Sequence, residues 1–336
     1  MTGEAADLRV IFLGTPEFAL PSLHALAGAT TIAAVITRPD RPAGRGRVVT
    51  PPPVAVAARA MGLPVLQPES LRSPSTLDTV RALYPDLLVT VAYGRIIPPP
   101  VLALPPRGCI NLHPSLLPAY RGASPIQRAI ADGTTTTGVT IMYQTEELDA
   151  GDIILQREVA VTPEETAGEL EARLAQVGAA LLREAVCLIA AGAAPRRPQD
   201  HARATYAGRL TKEDGVLRWA RPAHDLANQV RAMAPWPGAH TTWRDGVLKV
   251  WRARAADALA RSTAVPQPTG SPGKVLAADA SGITVAAGQG ALVLFEVQPA
   301  GGRRMTAADF LRGHRVEPGE RLGEAADVDA GREMVE

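Results

Sequence analysis

Two polar side chains suited to acyl chemistry lie two residues apart at the end of a predicted strand. Asn111 and His113 belong to the stretch CINLHPSLLP, which begins at Cys109. Side chains at positions i and i+2 of a strand share a face, and ligands of open α/β sheets bind beyond the carboxyl ends of the strands. Asn111 can donate a hydrogen bond to a carbonyl oxygen and to the oxyanion that it becomes, and His113 can donate one or exchange a proton near neutral pH. A strand-capping asparagine and a buried, hydrogen-bonded histidine would explain the same pair, but the rigid, apolar PSLLP loop that follows favours a binding wall.

An acidic turn offers the carboxylate that such a site would use. The stretch EELDAGD, residues 146–152, lies between two predicted strands. A carboxylate there could orient His113 or accept a proton from a reacting group. Aspartate and glycine are also common in ordinary turns, so this stretch alone leaves both interpretations open.

A basic loop rich in proline and glycine follows the second predicted strand. Residues 37–47, TRPDRPAGRGR, contain four arginines: Arg38, Arg41, Arg45 and Arg47. Because prolines hold the loop extended and glycines let the backbone bend, the loop could bind a phosphate backbone. A solvated, flexible insertion is the commoner fate of such a loop.

Charge is unevenly distributed along the 336 residues. Residues 1–204 hold 18 Lys and Arg against 19 Asp and Glu, residues 205–322 hold 16 against 10, and residues 323–336 hold 1 against 5. A basic C-terminal half is a candidate surface for nucleic acid. Because only three of the 35 basic residues are lysine, a bias toward GC-rich codons could instead have scattered the arginines.

The sequence lacks the motifs that are typical of several other function classes. The turn after the first strand, GTPEF, is not a G-x-G-x-x-G dinucleotide fingerprint, and neither a G-x-x-x-x-G-K-[ST] loop nor an H-E-x-x-H pair occurs. Hydride transfer, nucleotide hydrolysis and a zinc site are therefore disfavoured.

The two cysteines, Cys109 and Cys187, lack metal-ligand spacing. Since no apolar run approaches the ~18 residues of a spanning helix and the N-terminus has no signal-peptide pattern, we expect a reduced, cytoplasmic protein.

The elements that must position these residues follow an α/β pattern over residues 1–192. Short apolar runs predict strands at 8–13, 31–37, 64–66, 86–92, 108–112, 138–143 and 152–161. Helical patterns lie between these strands, and a long amphipathic helix is predicted at 164–191. This alternation predicts a Rossmann-like, mostly parallel sheet with right-handed crossovers.

The pattern changes in the C-terminal part of the chain. Residues 193–206 are rich in proline and charge and are predicted to be a linker. Short apolar runs separated by Gly, Pro and Asp then predict strands at 216–219, 239–243, 247–252, 273–277, 282–286 and 291–297. Such a series is typical of a small β-barrel, so residues 207–322 are predicted to form an OB-like barrel. The acidic tail, residues 323–336, is predicted to be disordered.

Together these motifs resemble the 10-formyltetrahydrofolate-dependent formyltransferases. The resemblance runs from Arg9 to about Leu322 and includes IFLGTPEFA, TRPDRPAGRG, VAYGRIIP, INLHPSLLP, YRGASPIQRAI, GVTIM, ELDAGDI, WPGA and KVWRA. The wider family shares only the Asn-x-His, SLLP and LD-x-G core. The arginine loop and the C-terminal barrel are similar to those of the members that act on methionyl-tRNA.

The resemblance implies a role for each matching position. The catalytic residues of the family map onto Asn111, His113 and Asp149. Its folate site maps onto Gly94, Arg95, Ile96, Ile97, Ser115, Leu116, Leu117, Pro118 and Glu146. Its tRNA-binding loop maps onto Arg38, Arg41, Arg45 and Arg47.

The resemblance also implies a reaction, namely transfer of the formyl group from 10-formyltetrahydrofolate to the α-amino group of initiator methionyl-tRNA. The enzyme would act without a metal, as a monomer and away from membranes. Two alternatives stay open. A formyltransferase for a small sugar or ribonucleotide amine would keep Asn111, His113 and Asp149 without needing the basic loop or the barrel, and a non-catalytic RNA-binding protein would have no reason to keep those three residues together.

Overall fold

The computed structural model describes residues 3–43, 48–256 and 270–323, which form two compact units. The first unit comprises Met1–Pro125, Thr136–Ala160 and Leu170–Gly208. The second unit comprises Ile126–Thr135, Val161–Glu169 and Arg209–Glu336. Two short pieces of the predicted first domain, residues 126–135 and 161–169, therefore pack with the second unit.

The first unit is built on a mostly parallel sheet, which confirms the predicted fold class. Its strands are β1 (Arg9–Gly14), β2 (Thr31–Ile36), β3 (Arg41–Ala43), β4 (Val48–Thr50), β5 (Val65–Leu66), β6 (Leu87–Val91), β7 (Cys109–His113), β8 (Arg121–Gly122), β9 (Thr136–Tyr143), β10 (Ile153–Ala160) and β11 (Tyr206–Ala207). The main sheet has the order β10-β9-β7-β6-β1-β2-β5 in the described part of the chain. Its pairs are parallel from β5 to β7, while β9 pairs antiparallel with both β7 and β10.

The α-helices between residues 3 and 190 of the described chain are α1 (Gly3–Ala6), α2 (Leu20–Ala27), α3 (Pro53–Ala60), α4 (Pro74–Ala82), α5 (Pro99–Leu102), α6 (Pro125–Ala131) and α7 (Ala167–Ala190). Proline lies in the first turn of α2, α3, α4 and α5, where its missing N–H has no intrahelical partner to lose. Across the described ranges, no helix combines the length and the apolar character needed to cross a membrane.

The centre of the sheet brings the predicted site residues to one edge. Strand β6 is buried along its whole length, as expected for a continuous apolar run in a parallel sheet covered on both faces. Strand β7 pairs with it in parallel, with Thr90 opposite Asn111. The carboxyl ends of β6 and β7 therefore lie side by side, and the loops that follow them start from the same edge.

The second unit contains an antiparallel sheet, as predicted for the C-terminal domain. Its strands and helices are β12 (Ala239–Trp243), β13 (Gly246–Ala255), β14 (Val275–Asp279), β15 (Gly282–Ala286), β16 (Ala291–Pro299), β17 (Met305–Thr306), α8 (Ala223–Ala232) and α9 (Ala307–Gly313). The order is β12-β13-β16-β15-β14, and β17 pairs with β16. Residues 319–323 connect the two edge strands, since Gly323 N donates to Thr242 O (2.9 Å) and Val275 N donates to Glu320 O (2.8 Å).

Some predicted elements take a different form. Residues 216–219 make an isolated bridge from Val216 to His240 instead of a strand. Trp219 is buried and its Nε1 donates to Thr241 Oγ1 (3.0 Å), so the apolar pattern reflects burial and not strand pairing. The predicted linker, residues 193–206, packs within the first unit. The predicted disordered tail lies, beyond Gly323, outside the described residues.

Candidate active site

Strand β7 places the first two candidate residues. Asn111 pairs with Thr90 on one side and with Met142 on the other, and His113 pairs with Thr140. Because Asn111 and His113 are separated by one residue of a strand, their side chains leave the same face. The structure confirms a strand here, at Cys109–His113, and it ends one residue later than the predicted strand at 108–112.

Thr90 lies beside the side-chain amide of Asn111. The Thr90 hydroxyl lies 2.8 Å from Oδ1 of Asn111, and also within reach of Ile110 O (3.0 Å) and Gln144 Oε1 (2.8 Å). Nδ2 of Asn111 makes no hydrogen bond to another described residue, so its two protons are left for a ligand. Sequence reasoning missed Thr90, although a polar residue inside the apolar run DLLVTVA was a visible signal.

His113 is buried, with 4% of its surface exposed, and both ring nitrogens face an oxygen. Nε2 lies 2.8 Å from the carbonyl oxygen of Tyr120, and Nδ1 lies 3.6 Å from Oδ2 of Asp149. A carbonyl oxygen only accepts, so Nε2 carries a proton in this arrangement. A doubly protonated imidazole has a donor for each of the two oxygens.

Asp149 reaches His113 from the acidic turn. Its backbone has φ +49°, in the left-handed region, which costs an ordinary residue about 1–3 kcal/mol and persists only where the surroundings impose it. Its Oδ2 accepts a hydrogen bond from the backbone N–H of Gly122 (2.8 Å). Among the described residues, Oδ1 has no hydrogen-bond partner, and the side chain is 12% exposed. The sequence-predicted trio of Asn111, His113 and Asp149 is thus brought to one place.

Gly122, which sequence reasoning missed, is tightly constrained. It has φ +116°, and a Cβ built there would lie 2.7 Å from the carbonyl oxygen of Ala207. Strand β8 pairs in parallel with β11, so that Gly122 is opposite Ala207. Only glycine fits this position, and its N–H remains directed at Asp149.

The loop after β7 contains four of the predicted folate residues. Ser115 is buried, and its hydroxyl donates to Ala119 O (2.6 Å). The other three line a cavity of about 350 Å³ together with Ala119, Gln156, Glu158 and Arg203; they are Leu116, Leu117 and Pro118. Gln156 Nε2 donates to Leu117 O (2.8 Å), which ties the loop to β10.

The remaining predicted folate residues lie in the loop after β6 and in the acidic turn. Gly94 has φ +78°, Ile96 is 77% exposed and Ile97 is buried. Nη1 of Arg95 donates to Pro68 O (3.1 Å) and Glu69 O (2.6 Å), which holds this loop to the one before α4. Glu146 is exposed.

The basic loop is described only in part. Arg38 is half-buried and Arg41 is exposed, whereas Arg45 and Arg47 lie outside the described residues. A Cβ built on Gly94 would lie 3.6 Å from Nη1 of Arg38. Burial raises the pKa of the neighbouring Tyr93, and the charges of Arg95 and Arg38 oppose that rise. Arg38 therefore lies beside the predicted folate loop.

Cys109 precedes the site but is not a candidate nucleophile. It is buried, and burial raises the pKa of its thiol far above the usual value, so the thiol stays protonated. Its Sγ lies 3.5 Å from Gln144 Oε1. Within the described ranges, no group of three or more His, Cys, Asp or Glu side chains is arranged to hold a metal ion.

Most of each unit matches a described family of proteins. Residues 8–186 match the family described as Formyl transferase, and residues 209–315 match the one described as Formyl transferase, C-terminal domain. The chain is 49% identical to the methionyl-tRNA formyltransferase of Moorella thermoacetica, covering 94% of this chain and 99% of that protein. It is 47% identical to the methionyl-tRNA formyltransferase of Syntrophus aciditrophicus, covering 95% and 100%.

Solved structures of low sequence identity share the fold. HypX from Aquifex aeolicus in complex with tetrahydrofolic acid is similar with a TM-score of 0.59 and 18% identity, covering 91% of this chain and 47% of that one. The sugar 3N-formyltransferase WlaRD, solved in the presence of dTDP and 5-N-formyl-THF, is similar with a TM-score of 0.61 and 14% identity, covering 85% and 97%.

Proposed function

The chain belongs to the formyl transferase family and, within it, to the methionyl-tRNA formyltransferases, and we propose that it transfers the formyl group of 10-formyltetrahydrofolate to the α-amino group of initiator methionyl-tRNA. The observation that supports this proposal best is the convergence of Asn111, His113 and Asp149 at the carboxyl edge of the sheet. These groups provide donors for an oxyanion and an acceptor for a proton, which formyl transfer to an amine requires. The enzyme acts in the cytoplasm, and as a monomer.

The reaction forms one bond and breaks another at the formyl carbon. The neutral α-amine attacks that carbon, the formyl oxygen becomes an oxyanion, and the bond from the carbon to N10 of the folate then breaks. A free α-amine has a pKa of about 8, so neutral nucleophile is available near neutral pH. The charge that develops on the oxygen is the larger barrier, and each preorganised donor aimed at it contributes about 3–4 kcal/mol.

Asn111 is the first of those donors. Thr90 occupies its Oδ1 at 2.8 Å, so Nδ2 is the group that faces the formyl oxygen. His113 is the second donor. Its Nε2–H is bound to Tyr120 O in this structure, and the formyl oxygen takes the place of that carbonyl as the acceptor. Nδ1 keeps facing Asp149 throughout.

Asp149 transfers a proton from the attacking amine nitrogen to N10 of the folate. The amine nitrogen carries one proton too many after it attacks, and N10 needs one when it leaves. Oδ2 of Asp149 is bound to Gly122, which leaves Oδ1 to accept the proton and return it to N10, directly or through one water. No other reactant is consumed.

The substrates are held by residues outside this trio. The folate lies against the loops after β6 and β7, with Gly94–Ile97, Ser115–Pro118 and Glu146 around it. The tRNA is bound through its phosphates by Arg38, Arg41, Arg45 and Arg47 and by the second unit, whose residues from 205 to 322 hold 16 basic against 10 acidic side chains. Phosphate contacts of this kind make affinity fall steeply with salt.

The direct test is formyl transfer from 10-formyltetrahydrofolate to initiator methionyl-tRNA. Elongator methionyl-tRNA, free methionine and an amino sugar nucleotide serve as alternative acceptors. We expect transfer to the initiator tRNA far above that to each other acceptor. Transfer to the amino sugar nucleotide alone would contradict the proposed substrate, and transfer to no acceptor would contradict the proposed activity.

A further inference from the structure

A buried glutamine outside the predicted site holds the backbone of Asp149. Gln199, with 5% of its surface exposed, lies 50 residues further along the chain, in the segment predicted to be a linker. Its Nε2 donates to Asp149 O (2.8 Å) and to Gly151 O (2.8 Å). Both amide protons are thus used on the backbone carbonyls of Asp149 and Gly151 in the acidic turn.

A buried arginine fixes which way that amide points. Arg121 is 1% exposed, and its Nε (3.2 Å) and Nη2 (2.8 Å) both donate to Oε1 of Gln199. Its Nη1 lies 3.6 Å from Oε1 of Glu147, which is also in the acidic turn. Because a guanidinium only donates, Oε1 of Gln199 must face it, and Nε2 must face the loop.

The same downstream segment also directs the N–H that binds the Asp149 carboxylate. Arg121 N donates to Thr205 O (2.8 Å), and Ala123 N donates to Ala207 O (2.9 Å). The N–H of Gly122, between them, points the other way, to Oδ2 of Asp149. Pairing with residues 205–207 therefore turns the N–H of Gly122 toward the Asp149 carboxylate. Gln199 holds the backbone of Asp149.

We propose that Gln199 and Arg121 are positioning residues that set the catalytic geometry of Asp149. The left-handed backbone of Asp149 needs surroundings that impose it, and Gln199 imposes it by binding the carbonyls of Asp149 and Gly151. Arg121 acts through Gln199 by locking its amide. This inference rests on the proposed function for the role of Asp149, but the geometry that it describes does not depend on any substrate.

Gln229 offers a matched control for Gln199→Glu, the substitution that tests the proposal. Gln229 in the second unit uses its Nε2 on two carbonyls, Asp214 O (2.8 Å) and Val216 O (2.9 Å), and its Oε1 accepts from Nη1 of Arg221 (3.2 Å). Gln199→Glu and Gln229→Glu thus make the same chemical change. Each keeps the volume and the acceptor for arginine, and each replaces two donors by a carboxylate oxygen.

The test measures kcat and the NMR signal of the Gly122 N–H in parallel. We expect Gln199→Glu to lower kcat about 10–100-fold, since a small misplacement of a catalytic group costs up to ~100-fold, with KM for both substrates within about 3-fold of wild type. We expect the NMR signal of the Gly122 N–H, recorded without substrate, to shift upfield and exchange faster. Gln229→Glu should leave kcat within about 3-fold and the Gly122 signal unchanged.

Arg121→Lys provides a second variant in case Gln199→Glu does not fold. It keeps the charge but loses the fork that locks Gln199, so kcat should fall with little change in KM and the Gly122 signal should move in the same direction. Unchanged kcat and an unchanged Gly122 signal would overturn the inference, as would equal losses in Gln199→Glu and Gln229→Glu. Inactive wild-type enzyme with the expected Gly122 shifts would instead contradict the proposed function alone.

Discussion

The imidazole of His113 faces the carboxylate of Asp149 across 3.6 Å between Nδ1 and Oδ2. This spacing is longer than a normal hydrogen bond but within the range of an ion pair. This geometry supports the proposed roles of His113 as a donor to the oxyanion and of Asp149 as the proton acceptor.

Loss of the Asp149 charge should affect turnover and not substrate binding. Asp149→Asn keeps the volume but cannot accept the proton, and we expect kcat to fall by about 100-fold or more, with KM values within about 3-fold. Steady-state kinetics with each substrate varied provides the measurement. Asp152→Asn is the control, since that carboxylate faces Arg196 at 3.7 Å and is partly exposed. Similar losses of kcat in both variants would contradict the role of Asp149.

Gly122 should not tolerate even a methyl group. In Gly122→Ala the Cβ would meet Ala207 O at 2.7 Å, in a left-handed backbone, so we expect the free energy of unfolding to fall by about 2–4 kcal/mol. Gly192 also has a positive φ but has open space around it, so Gly192→Ala should cost only about 1–2 kcal/mol. Urea denaturation compares the two variants. Equal destabilisation would mean that contact with residues 205–207 is unimportant.

Asp214 in the second unit should make stability depend on acid pH. Burial raises its pKa, but hydrogen bonds from Thr211 and Arg128 outweigh burial and lower the pKa below the usual value. Because the folded pKa is lower than the unfolded pKa, this contribution is present above the unfolded value and is lost as pH falls through the folded one. Asp214→Asn should thus lose about 1 kcal/mol at pH 7 after allowance for solvent screening.

The check on Asp214 is urea denaturation at several pH values. The difference in unfolding free energy between wild type and Asp214→Asn should shrink below about pH 4, near the ordinary carboxylate pKa. Asp225→Asn is the control, because its exposed pair with Arg221 at 3.5 Å should contribute little at any pH. A difference that stays constant from pH 7 to pH 3 would contradict the assignment.

The basic loop should serve the tRNA and not the folate. Arg45→Ala is expected to raise KM for methionyl-tRNA and to reduce the slope of log affinity against log salt by about 1, while KM for 10-formyltetrahydrofolate stays the same. Arg81→Ala removes an exposed arginine that pairs with Asp78 outside the loop, and it should change neither constant. A matching rise in both KM values for Arg45→Ala would refute this division of labour.

The fold was predictable where burial imposes a regular pattern. The apolar run at residues 86–92 predicted a buried strand because a parallel strand is covered on both faces, and the structure has that strand at Leu87–Val91. Asn111 and His113 were predictable as a pair because strand geometry alone puts residues i and i+2 on one face. Asp149 came from the family resemblance, since its approach to His113 spans 36 residues and leaves no local pattern.

The supporting residues were not predictable because their contacts are long-range and aperiodic. Gln199 binds Arg121 across 78 residues and Asp149 across 50. Its segment is held by side-chain to backbone hydrogen bonds and by isolated bridges such as Arg197 with Ile153, which produce no hydrophobic period. A stretch rich in proline and charge therefore looks like a linker in sequence, although it packs beside the candidate catalytic pair.

Asn111 is proposed to donate a hydrogen bond to the oxyanion during formyl transfer at this strand-end site. The most direct measurement is the single-turnover rate of formyl transfer to initiator methionyl-tRNA by wild type and by Asn111→Ala, both saturated with substrates. We predict a fall of about 100–1,000-fold in Asn111→Ala, with the affinity for 10-formyltetrahydrofolate within about 3-fold of wild type. A near-normal rate in Asn111→Ala would contradict the role of Asn111 as an oxyanion donor.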